Sequence, residues 1–141
     1  MNISFFDQHD VPQARSAIRI ESLTATPYPD GWRVKITLNV TPFQERPSLE
    51  LEVWRGEDRI AEMSIIETMH KAMEFTVHIR GVSSPFGDYK AEAALYYEDR
   101  LAPQHRLSTA FTISPEVLAA LRPQSSARQD VEPPEDEDGT P

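Results

Sequence analysis

The feature that most constrains this chain is the alternation of apolar and polar side chains in short runs. In "WRVKITLNV", Val34, Ile36, Leu38 and Val40 fall on one side of an extended chain, and Lys35, Thr37 and Asn39 on the other. "LELEV" sets Leu49, Leu51 and Val53 against Glu50 and Glu52. "MEFTVHIR" sets Met73, Phe75, Val77 and Ile79 against Glu74, Thr76, His78 and Arg80. "YKAEAALYYE" and "HRLSTAFTI" repeat the pattern, with Tyr89, Ala91, Ala93, Leu95 and Tyr97 on one side of the first and Leu107, Phe111 and Ile113 on one side of the second. Successive side chains of a strand point to opposite faces, so a period of two marks strands with one buried and one wet face. A first strand over residues 17–26 changes parity between Ile20 and Leu23, which a β-bulge would explain. A further strand over 59–66 brings the total to seven.

Prolines 27, 29, 42, 47, 85 and 103 fall between these runs, where a residue without an N–H does least harm. Turn signals "PDG", "RGED" and "SPFGD" recur at similar spacing. Seven short strands so spaced predict an all-β, two-sheet antiparallel sandwich. The stretch "SPFGDYKAEAALYYED" resembles the sixth strand of immunoglobulin-like and fibronectin-III-like domains, with Gly87 in the turn and Tyr89 opening the strand. The resemblance covers residues 17–113. It implies a seven-stranded immunoglobulin-like sandwich in which Tyr89 is a tyrosine corner, its hydroxyl bonded to the backbone of the preceding turn. Two departures stand out: the cysteine pair of antibody-type domains is absent, and Trp54 has outward parity, so it is not their buried core tryptophan.

After the sandwich, "SPEVLAALRP" reads as a short helix over 114–122. Ser114 is suited to the N-cap, Pro115 to the first turn, and Glu116 to the helix dipole. Eight or so residues do not hold a helix alone, so it must dock through Val117, Leu118 and Leu121. Residues 123–141 are rich in Pro, Ser, Gln and acid, a composition that predicts disorder. The chain therefore divides into an arm (1–16), the sandwich (17–113), the helix (114–122) and an acidic tail (123–141). The tail reads as a solubilising terminus or as a tether for a basic partner surface.

The formal net charge is −9, and residues 122–141, with six acidic and two basic side chains, supply −4 of it. No basic stripe offers itself to nucleic acid or to an anionic membrane. The absence of cysteine excludes disulfides, zinc–thiolate sites and cysteine nucleophiles, and fits a reducing compartment. "MNISFFDQHD" lacks the basic and long apolar regions of a secretion signal, and no run reaches the ~18–20 apolar residues of a membrane span. The expectation is a cytoplasmic protein.

"SIIETMHKAMEF" carries the one pattern that suggests chemistry. As a helix it would place Glu67 and His70 three apart on one face, the Glu-x-x-His spacing of di-metal carboxylate bundles. As strand, turn and strand it is scaffold. The second reading is preferred, because 75–79 continues in strand register. Such bundles also need two copies of the motif and further glutamates, and only one copy occurs. His9, His70, His78 and His105 lie far apart and read as surface or loop residues. No Gly-x-Ser-x-Gly elbow or phosphate-binding glycine loop is present. No cofactor, metal or catalytic residue is assigned.

What remains is binding. The partner-binding candidates are Phe5 and Phe6 in "ISFF", together with Trp54 and Tyr96, whose parity points outward. "ISFF" would form either a strand covering a sheet edge or an arm anchored in a partner. Trp54 and Tyr96 belong toward opposite ends of neighbouring strands, and Trp32 has inward parity. The leading expectation is a non-catalytic interaction or accessory domain, bound to another protein or to itself through a sheet edge. The alternative is a carbohydrate- or small-ligand-binding sandwich module.

Overall fold

The computed structural model describes residues 11–121. The Ile3, Phe5 and Phe6 stretch, His9 and the acidic tail lie outside the described residues. The alternating runs form seven strands: β1 (Ile20–Pro27), β2 (Arg33–Val40), β3 (Ser48–Arg55), β4 (Asp58–Ile65), β5 (Ala72–His78), β6 (Gly87–Tyr96) and β7 (His105–Ile113). A helix, α1 (Pro115–Ala120), follows. All strand pairs are antiparallel, in a three-stranded sheet of order β1-β2-β5 and a four-stranded sheet of order β4-β3-β6-β7.

Antibody constant-type sandwiches place the fourth strand beside the first, second and fifth. Here β4 stays with β3, because a two-residue turn joins Arg55 to its cross-strand partner Asp58 and leaves no chain with which to cross over. The inner faces meet in one core. Val34, Ile36, Leu38, Leu49 and Leu95 are 0% exposed. Burial of each such side chain stabilises the fold by ~1.5–3 kcal/mol. The parity change in the first strand is a register shift between Ile20 and Ser22. It lets both Ile20 and Leu23 face inward across one extra residue.

Residues 66–71 connect β4 to β5 with no helix. Glu67 has φ +49°, a left-handed value that a right-handed helix cannot contain, and Glu67 and His70 are both exposed. In α1, Ser114 Oγ accepts from the Val117 N–H at 3.1 Å, Pro115 opens the helix, and Leu118 is buried. Leu118 docks over Gly31, where a Cβ would lie 3.0 Å from its Cδ1 and the backbone has φ +77°. Leu121 does not dock as expected and is 40% exposed: the helix ends at Ala120, and its one buried side chain is Leu118.

Three further expectations need correcting. Trp32 is 40% exposed rather than inward. The strand begins only at Arg33, and the left-handed backbone at Gly31 breaks the parity that would have carried Trp32 into the core. Tyr96 is 8% exposed rather than outward in solvent. Its cross-strand partner Ser48 accepts from the Glu67 N–H (2.9 Å), and the neighbouring Pro47 carbonyl accepts from the Thr68 N–H (2.9 Å). The β4–β5 connection thus closes over that end of the sheet. Finally, residues 11–16, expected as part of an arm, lie against the sandwich. Gln13 forms a parallel bridge to Phe43, and a single 3-10 turn spans Arg15–Ala17.

Candidate functional site

The two sheets leave four edges, and the structure treats them unequally. The β1 and β7 edges pack against each other. The Ile20 N–H donates to Nδ1 of His105 at 2.9 Å, and Gln104 Nε2 donates to the Ile18 and Arg15 carbonyls at 2.8 and 3.0 Å. His105 is therefore part of the joint between the sheets. The β4 and β5 edges flank an opening. Among the described residues no hydrogen bond links these two strands. The space between them, about 380 Å³ and open to solvent, is lined by Leu51, Val53, Met63 and Val77. Glu62, Thr76 and His78 line it as well. Ala61, Met63, Ile65 and Phe75 remain half-buried there, packed on the core on one side.

The free groups of β5 follow from its register. Ile79 N–H donates to the Trp32 carbonyl and the Lys71 carbonyl accepts from the Val40 N–H, both at 2.8 Å. In an antiparallel ladder hydrogen-bonded pairs alternate, so residues 73, 75 and 77 also bond to β2. The N–H and C=O groups of Ala72, Glu74, Thr76 and His78 therefore point toward the open side. Among the described residues these groups have no backbone partner, and a row of this kind is a template for another strand.

A second feature lies on the outer face of the four-stranded sheet. Register sets Glu62, Glu52 and Glu92 side by side on three neighbouring strands. Directly opposed like charges destabilise a sheet, and the cost here is offset by partners. Arg59 Nη1 reaches Glu52 at 3.1 Å and Glu62 at 3.4 Å, Trp54 Nε1 donates to Glu52 Oε1 at 3.2 Å, and Arg106 lies 3.9 Å from Glu92. Nearby, Ser64 Oγ donates to Glu50 at 2.8 Å. The hollow above them is about 650 Å³, open and charged, with Arg100 and Leu101 on its wall.

A third cluster fastens the N-terminal segment to one end of the sandwich. Arg15 donates to both carboxylate oxygens of Glu45 (3.3 and 2.6 Å) and to Glu98 (2.8 Å), and its guanidinium lies 4.6 Å from the centre of the Tyr97 ring. The Tyr97 hydroxyl donates to the Glu45 carbonyl at 2.9 Å. The hydrogen bonds from Arg15 hold the Glu45 carboxyl below its usual range. Burial, aided by the Glu45 charge and opposed by Arg15, pushes the Tyr97 phenol up. At the other end, desolvation of Asp30 is outweighed by bonds from the Trp32 N–H and Arg33, and its carboxyl is lowered.

The remaining residues singled out in the sequence are scattered. Trp54 is half-buried opposite Lys90, while Tyr96 is buried opposite Ser48, six residues away along β3, so the two aromatics form no common platform. Phe5 and Phe6 lie outside the described residues. The Tyr89 hydroxyl donates to the Pro85 carbonyl at 2.7 Å, and its ring stacks on Phe111 at 5.1 Å and 11°. Gly87 is a packing position: with φ +151°, a Cβ there would lie 3.0 Å from Cδ of Arg55, whose guanidinium donates to the Ser84 and Phe86 carbonyls. His70 lies in the β4–β5 connection, while His78 and His105 sit on β5 and β7. Among the described residues no group of three or more His, Cys, Asp or Glu side chains is placed to hold a metal ion, and no helix is long and apolar enough to cross a membrane. The open side and the Arg15 cluster were missed in the sequence. Arg15 meets partners 30 and 83 residues away, and no local pattern signals such pairs.

No protein-family model matches the chain, and neither does any curated protein. Among solved structures, the chain is similar to a crystal structure of a glycosyl hydrolase family 2 member from Bacteroides cellulosilyticus DSM 14838, and to one of such a member from Bacteroides cellulosilyticus obtained from microfluidic crystals. Each is 11% identical and covers 68% of this chain, with a TM-score of 0.44. The match takes in 15% and 14% of those chains, so this chain spans a small part of either. Likeness at that level carries no inference about activity.

Proposed function

We propose that this chain is a non-catalytic interaction domain that holds another polypeptide, presented as an extended strand, along the open side between β4 and β5. The observation that carries this reading is the asymmetry of the edges: β1 and β7 close on each other, while β5 turns a row of backbone groups without a partner among the described residues toward an opening lined by Leu51, Val53, Met63 and Val77 together with Glu62, Thr76 and His78. Added strands gain affinity from main-chain bonds and specificity from pockets for alternate side chains. The apolar side chains at the opening would take every second residue of such a segment. The glutamates on the outer face are engaged by Arg59, Arg106 and Ser64, which favours a structural role for them over proton transfer. A reducing, cytoplasmic setting fits a chain without cysteine.

A photo-crosslinking residue placed at position 64 or 76, on the open side, tests the reading against the same residue at position 24 or 112, on the closed side. The expected result is polypeptide adducts from the open side alone. Equal capture from both sides contradicts the proposal.

The second reading, a sugar- or small-ligand-binding module, has its best location in the charged hollow beside Trp54. Quenching or enhancement of Trp54 fluorescence by a glycan panel, lost in Trp54→Phe, would favour it.

A further inference from the structure

Accepting the open side as an interaction surface, we propose that a second copy of this chain pairs with it through β5. The pairing is antiparallel, about a two-fold axis at Thr76, and joins the two three-stranded sheets into one of six strands. Of the four edges, β5 carries the fewest features that discourage pairing. β1 and β7 cover each other, and β4 is interrupted by a register shift opposite Val53 and Trp54. β5 pairs with β2 over seven consecutive residues without a shift. It contains no proline and no lysine, and the side chains it turns inward are Met73, Phe75 and Val77. Bulges, prolines, lysines and inward charges are the usual protections of a free edge, and β5 has none of them.

The strand is also complementary to itself. The free backbone groups belong to the even-numbered residues, and a two-fold at Thr76 brings even residues opposite even residues, so these groups meet. The same axis sets Thr76 against Thr76, Glu74 against His78 and Phe75 against Val77. These are a hydroxyl pair, a pair with complementary polarity and an aromatic–β-branched pair, all favourable across strands. A two-fold at Glu74 would oppose two carboxylates. One at Phe75 would leave Glu74 facing Thr76, with no basic partner. Isologous contact of one patch with itself is the commonest route to a dimer.

Light scattering after size exclusion gives the first test. The mass should rise with concentration from 16.0 kDa toward twice that value. Thr76→Glu places two carboxylates against each other at the axis and should return the chain to monomer. Within one copy the new side chain faces Lys35, so the fold is kept and circular dichroism should be unchanged. The chain has no cysteine, so Thr76→Cys supplies a lone thiol that a short bismaleimide should couple into a covalent dimer, whereas Thr24→Cys should not couple. A monomer at about 0.5 mM, well into the weak-association range, overturns the proposal, as does a dimer that survives Thr76→Glu. If the chain is monomeric but open-side crosslinks to another polypeptide persist, self-pairing falls while the open-side reading stands. If those crosslinks are absent as well, both fall.

Discussion

Replacing Tyr89 by Phe removes one buried oxygen atom at the turn before β6 and little else. The hydroxyl donates to the Pro85 carbonyl at 2.7 Å, with Tyr89 3% exposed and Pro85 buried. The ring should stay on Phe111, because the stacking at 5.1 Å does not involve the hydroxyl. The loss is thus one net hydrogen bond, ~1 kcal/mol, plus the cost of a buried carbonyl left without a donor, for a total of about 2 kcal/mol. For a domain of roughly this size each kcal/mol lowers Tm by ~4 °C, so Tyr89→Phe should melt about 8 °C lower. Urea unfolding should show a reduced midpoint with an unchanged slope, since the surface exposed on unfolding is the same. Tyr28→Phe is the control: that hydroxyl is exposed and 3.4 Å from Thr76, and its loss should cost less than ~0.5 kcal/mol. If Tyr89→Phe unfolds within ~0.5 kcal/mol of the parent, the Tyr89–Pro85 bond does not anchor the turn before β6 and the reasoning fails.

Two further outcomes follow from the geometry. Glu67 sits at φ +49°, a left-handed conformation that costs a non-glycine residue ~1 kcal/mol, so Glu67→Gly should raise stability by up to about that amount in chemical unfolding, and a loss would show that its side chain contributes more than its backbone costs. Glu45 has a lowered pKa in the folded chain, so its bond to Arg15 supports the fold above the unfolded carboxylate range and is lost as pH falls through the lower folded value. The attachment of residues 11–17 should therefore loosen below about pH 4, read as protease sensitivity near Arg15, and Arg15→Ala should be sensitive already at pH 7.

Much of the fold was legible because it is local. The alternation in Arg33–Val40 needs no knowledge of other strands, the bulge near Ile20 shows as a parity slip, and the Ser114 cap is a signal three residues long. What was not legible depends on where distant segments meet. Trp32 lost its parity to a left-handed glycine one residue earlier, and Tyr96 is buried at an end that the β4–β5 connection closes from some thirty residues away. The open side escaped for the same reason. Periodicity shows which face of β5 is wet, but not that its edge lacks a neighbour among the described residues, because that depends on the fourth strand staying with the third.

The central claim is that β5 presents a free edge, and residue-resolved amide hydrogen exchange on the Thr76→Glu chain at high dilution tests it most directly. Positions 73, 75 and 77, bonded to β2, should exchange slowly, and positions 74, 76 and 78 should exchange at rates close to those of an unstructured chain. Uniform protection from 73 to 78 would mean that another segment already covers the edge, and would contradict the account.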